Sequence, residues 1–128
     1  MDGEAYNTNM RKTDKKTRLF GNELRLFVDR LKSRFDVLEV ILFGSAVHNP
    51  QRANDLDILI VMDYVKNYWD LKAEISRMRS DKVPMDVTII DPDAFKRESA
   101  ANPFFREEIL KKMKVLFRSK KNGKRVSR

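Results

Sequence analysis

The chain has 128 residues, enough for one domain with its own core. It contains no cysteine, which excludes disulfides, thiolate metal sites and cysteine nucleophiles. Its formal net charge of +8 is confined to the two ends. Residues 1–18 carry five bases against three acids, residues 118–128 carry six bases and no acid, and the 19–117 segment balances 16 bases with 16 acids. That segment reads as the domain, flanked by charged tails at 1–18 and 118–128 that lack apolar periodicity and are expected to stay disordered. No apolar signal-like stretch opens the chain, and Ile58–Met62 is far too short to span a bilayer, so a cytoplasmic protein without membrane contact is expected.

Taken in chain order, Phe20, Leu24, Phe27, Val28, Leu31 and Phe35 fall on one face of a helix that begins near Leu19. Val37–Phe43 is short, apolar and β-branched, which predicts a strand buried on both faces and ended by Gly44. Ser45 to Gln51 forms a loop or a single helical turn before Pro50. Leu56–Met62 is the second strand, with Leu56, Ile58 and Ile60 on one face and Asp55, Asp57 and Leu59 on the other. Tyr64, Tyr68, Leu71, Ile75 and Met78 follow at helical spacing, with Asn67 as the expected N-cap and Asp70 in the first turn.

Ser80-Asp81-Lys82 reads as a loop. The third strand is Val83–Ile90, with Pro84 marking an edge or a strand start. Met85, Val87 and Ile89 share one face; Asp86, Thr88 and Ile90 share the other. Asp91-Pro92 opens a short helix, the acid as cap and the proline at the first helical position. Asn102-Pro103 opens another, with Phe105, Ile109, Met113 and Leu116 at helical spacing, although Val115–Phe117 also suits a last short strand. The order predicts an α/β (α+β) domain, a small mixed sheet with helices packed mainly on one face.

The chemistry concentrates in a few residues. Gly44 is the one glycine at a strand end inside the domain, where a missing Cβ lets a ligand approach the backbone. Ser45 offers a hydroxyl and an amide suited to an anion such as phosphate. Asp55 and Asp57 project from one side of a strand, about 7 Å apart at about 3.3 Å per residue. Carboxylates aimed at one spot repel, and a divalent cation relieves them. Taken alone, Gly-Ser is usually an ordinary turn and Asp-x-Asp usually a pair of solvated acids. Asp86 shifts the balance, because an acid inside an apolar strand needs a reason. If the second and third strands are neighbours, it joins Asp55 and Asp57, and three carboxylates suit two Mg²⁺ ions carrying a triphosphate.

Gly44-Ser45, nine residues, Asp55-x-Asp57 and a later Asp86 resemble the minimal nucleotidyltransferases of the DNA polymerase β superfamily. The likeness spans residues 20–117. The gap is one residue shorter than in most members, and Asn54 stands where Ser or Thr is frequent. The resemblance implies a nucleotidyltransferase fold and a metal-dependent transfer of a nucleoside monophosphate, AMP from ATP, to a hydroxyl. It implies that Gly44 and Ser45 hold the β- and γ-phosphates, that Asp55 and Asp57 bridge two Mg²⁺ ions, and that Asp86 binds the catalytic ion and helps deprotonate the acceptor. Larger relatives bind the acceptor with a second domain, for which 128 residues leave no room, so the acceptor is expected on another chain. Such minimal domains are frequently antitoxins that modify a HEPN-type ribonuclease toxin. Two alternatives stand beside this: a non-catalytic module that neutralises its partner by binding, and a terminal nucleotide-adding enzyme that grips nucleic acid through the basic residues 118–128.

His48 and Arg52, in the loop between the two halves of the motif, are candidates for phosphate contact, though exposed loop residues usually serve only solubility. Tyr64, Tyr68 and Trp69 could stack a base, but at helical spacing they more often face a core or a partner. Lys66 and Arg77 read as a solvated face.

Overall fold

The computed structural model describes residues 12–63 and 67–120. In chain order these form α1 (Lys12–Arg34), β1 (Val37–Phe43), α2 (Ser45–His48), β2 (Leu56–Met62), α3 (Tyr68–Ser76), β3 (Met85–Ile90), α4 (Pro92–Ala101), a π-helical segment (Phe105–Leu110) and β4 (Lys114–Arg118). The four strands lie in the order β3-β2-β1-β4. β1 is antiparallel to both neighbours, whereas β2 and β3, joined through α3, run parallel. The sheet is therefore mixed.

Side-chain alternation places the larger core on one face of the sheet. There Leu24, Phe27 and Leu31 of α1 and Ile75 of α3 close over Val40, Leu42, Ile58, Ile60 and Val87. The other face carries a smaller cluster in which Phe105 and Ile109 cover Ile41 and Leu59, with Phe95 packed alongside. The central strands β1 and β2 are thus covered on both faces, and their sequences are aliphatic apart from Glu39 and Asp57. Phe27 has no exposed surface, and truncating it to alanine would cost about 3–5 kcal/mol. Among the described residues no helix is long and apolar enough to cross a membrane.

Several boundaries differ from the sequence reading. α1 starts at Lys12, not near Leu19, so residues 12–18 are helical. Apolar spacing reports the buried face, and these added turns are mostly exposed, with Asp14 favouring the positive N-terminal end. Asn67 occupies the N-cap of α3, but in a left-handed conformation (φ 54°, ψ 56°) and without a side-chain capping bond; its carbonyl accepts from the Leu71 amide at 3.1 Å. α3 ends at Ser76, so Met78 is buried from the following turn. Tyr64 and Lys66 lie outside the described residues, as do residues 1–11 and 121–128 of the tails.

Asp91 caps α4 as expected, accepting from the Ala94 amide at 2.7 Å. The helical spacing through Met113 and Leu116 does not hold. The chain leaves the π-helical segment at Leu110, and Val115–Phe117 pairs with β1. Arg118 belongs to β4 rather than to a tail: its Nη2 and Nε donate to Oε2 of the buried Glu39 at 2.7 and 3.1 Å.

Candidate functional site

The site is assembled where β1 ends and β2 and β3 begin. Phe43, the last residue of β1, lies opposite Asp57 in the antiparallel pair, and Asp57 lies opposite Asp86 in the parallel pair. Alternation puts Asp57 on the face of Leu59 and Asp86 on that of Ile90, and both apolar residues belong to the smaller cluster. The two carboxylates therefore stand on the same side of the sheet, one strand apart. Asp55 precedes β2 by one residue and is half-buried.

Gly44 fits this junction for a steric reason. It has φ 78° and ψ −156°, a conformation open essentially only to glycine. A Cβ added there would collide with Asp57 Oδ2 and lie 3.3 Å from its Cγ. The backbone after β1 thus lies directly against the Asp57 carboxylate. Ser45 begins α2 and is exposed. The loop to Asp55 is pinned at both ends by buried alanines, Ala46 and Ala53. His48 and Arg52 are exposed between them.

Electrostatics mark the same point. Burial pushes the Asp57 carboxyl above its ordinary range, and the negative charges of Asp55 and Asp86 push it further. A half-buried acid pressed by two others is a centre of unbalanced negative charge, which a cation would relieve. Among the described residues no three His, Cys, Asp or Glu side chains form a ready-made metal cage. The donor set instead fits a hard cation that takes one or two carboxylates and completes its shell with water and substrate phosphate.

An open cleft of about 370 Å³ adjoins the acids, its lining including Asp55, Arg79, Ser80, Asp81 and Asp86.

Residues 27–122 match the family model described as polymerase beta, nucleotidyltransferase. The chain belongs to this nucleotidyltransferase family. Solved structures are similar to the chain, and the first of them shares its fold. A Sulfolobus solfataricus structure described as a candidate nucleotidyltransferase is 20% identical, with 88% of this chain and 93% of that one covered and a TM-score of 0.64. A chain from the complex of a tri-AMPylated Shewanella oneidensis HEPN toxin with its MNT antitoxin is 18% identical, with coverage of 84% and 77% and a TM-score of 0.45. A chain from a toxin–antitoxin structure with AMP-PNP is 20% identical, with coverage of 80% and 83% and a TM-score of 0.46. No curated protein matches the chain.

Other features of this nucleotidyltransferase lie away from the acids or escaped the sequence reading. Tyr68 packs against the larger core and meets the Trp69 ring edge-on at 5.0 Å, while Trp69 itself is 78% exposed. The segment read only as a loop, Ser80–Lys82, is a hydrogen-bonded clamp. Ser80 Oγ donates to the buried Glu23 at 2.7 Å and accepts from the amides of Lys82 and Val83 at 2.9 and 3.1 Å. Arg79 Nη1 donates to the Met85 carbonyl at 2.9 Å, next to Asp86, and Lys72 Nζ donates to the Val87 carbonyl at 2.7 Å. Two cationic side chains thus occupy carbonyls of edge strand β3. The clamp joins residues 57 positions apart, which no local pattern announces.

Proposed function

We propose that this nucleotidyltransferase moves AMP from ATP to a hydroxyl on a partner protein, a HEPN-type toxin, and so acts as that toxin's antitoxin. One juxtaposition carries the reading. Asp57 and Asp86 face each other across β2 and β3, with Gly44 pressed against Asp57 in a conformation only glycine adopts.

Asp55, Asp57 and Asp86 are the residues that would hold Mg²⁺. The ions would supply charge neutralisation at the phosphates and polarise the attacking and leaving oxygens. The protein's own part is positioning. Gly44 and the Ser45 amide and hydroxyl receive the β- and γ-phosphates, which Gly44 permits because no Cβ stands in the way. Asp86, on the edge strand, faces the acceptor. The acceptor oxygen forms a bond to the α-phosphorus as the bond from that phosphorus to the bridging oxygen breaks. Pyrophosphate leaves with the electron pair, and the hydroxyl proton passes to the Asp86 carboxylate and on to solvent. Holding these groups in line supplies most of the rate gain.

The test is label transfer. The protein is incubated with ATP labelled at the α-phosphate, Mg²⁺ and the partner that co-purifies with it. Label on the partner, lost in Asp55→Asn/Asp57→Asn with the fold intact, is the expected result. Binding without label under these conditions, or label that survives the double substitution, overturns the assignment.

A further inference from the structure

The acids lie in a definite order across the sheet. Gly44 follows β1, Asp57 sits on β2 and Asp86 on β3, the outermost strand. If the triphosphate lies on the Gly44 side, the acceptor must arrive from the β3 side. The cleft lined by Asp55, Arg79, Ser80, Asp81 and Asp86 is on that side, and it touches two of the three acids. A second cavity among the described residues, between α1 and β4, touches none of them.

We propose that this cleft receives the acceptor, and that it selects a hydroxyl side chain flanked by lysine or arginine in a polypeptide, with Asp81 setting the preference. The inference rests on reading Asp55, Asp57 and Asp86 as the transfer site. Three carboxylates line the cleft against one guanidinium, that of Arg79, which donates to the carbonyls of Ser76 and Met85. When Asp55 and Asp86 are engaged with metal, Asp81 stays as an exposed negative charge at the rim. A polyanion such as nucleic acid is repelled there, and a cationic flank is attracted. The volume of about 370 Å³ suits one side chain and its immediate neighbours. The wall is preorganised, because the Glu23–Ser80 bond and the two amides on Ser80 Oγ fix the loop before any acceptor arrives.

The whole chain tests this against three probes: a tyrosine peptide flanked by lysines, the same peptide flanked by glutamates, and an oligodeoxynucleotide with a free 3′-hydroxyl. Binding is followed by amide shifts of residues 79–83, 85 and 86, with and without Mg²⁺ and a non-hydrolysable ATP analogue. The lysine peptide should shift these amides and bind at least about tenfold more tightly than the glutamate peptide. Asp81→Lys should erase that preference and leave the affinity for the ATP analogue within about twofold. With a net charge of +8, non-specific attraction would favour the glutamate peptide and the oligonucleotide, so the expected order is opposite to that of the bulk charge. Equal binding of the two peptides, preference for the oligonucleotide, or indifference to Asp81→Lys overturns the proposal. An ATP analogue that fails to perturb Gly44–Asp57 overturns the transfer-site reading instead. The measurements without nucleotide keep the two failures separate.

Discussion

Replacing Gly44 with alanine strikes the backbone and the site at once. The substitution forces a side chain into a conformation with φ 78° and ψ −156°, which costs about 1–3 kcal/mol. The new methyl also collides with Asp57, whose side chain must leave its rotamer at about 0.5–1.5 kcal/mol. The expected loss is therefore about 2–4 kcal/mol out of a stability of order 5–15 kcal/mol. With a urea m-value of about 1.5 kcal/mol per M, the unfolding midpoint should fall by roughly 1–3 M. A second variant separates the two causes. Adding Asp57→Ala removes the colliding carboxylate and should recover about 1 kcal/mol, while the backbone strain stays. Transfer activity in Gly44→Ala should fall by about 100-fold, because Asp57 is displaced from the nucleotide. A Gly44→Ala protein that melts within about 0.5 kcal/mol of the wild type, or one with no coupling to Asp57, would refute the argument.

Other outcomes follow from the same contacts. The Asp57 carboxyl titrates above its unfolded value, so the folded state holds a proton that the unfolded state has already released across that interval. The contribution of this group to stability therefore falls as pH rises through the interval, and Asp57→Asn should raise the melting temperature at neutral pH while abolishing transfer. Mg²⁺ with ATP should raise the wild-type melting temperature and leave Asp55→Asn/Asp57→Asn unmoved, as read by differential scanning calorimetry. Arg118→Ala removes two hydrogen bonds to the buried Glu39 and should cost about 1–3 kcal/mol in a urea melt, with transfer kinetics unchanged because Glu39 is near the far end of β1 from Gly44.

The parts of the fold that were legible in the sequence are those where local pattern and burial agree. β1 and β2 match their predicted bounds because aliphatic runs between polar breaks have few other uses. Proline at residue 84 signals an edge or a strand start, and both hold: β3 lies at the edge of the sheet and begins at Met85, two residues after the expected Val83. Asp86 stood out as an acid in an apolar strand. Its position opposite Asp57 could not be read locally, because register is set by the parallel pairing across the α3 crossover. The N-terminal turns of α1 were hidden for the converse reason: exposed helix carries no apolar stripe. β4 was masked by a coincidence, since Phe105, Ile109, Met113 and Leu116 keep helical spacing although the chain changes conformation after Leu110. The Glu23–Ser80 clamp and the Glu39–Arg118 pair join distant segments, and the sequence shows only their separate polar residues.

Paramagnetic broadening with Mn²⁺ and ATP would examine most directly whether side chains from β2 and β3 act together beside the turn after β1. Amide signals of Gly44, Ser45, Asp55–Asp57 and Asp86 should vanish together at low Mn²⁺, and Asp57→Asn should restore them all. Broadening that spares Asp86, or that spreads over scattered surface acids instead, would contradict a shared nucleotide–metal centre.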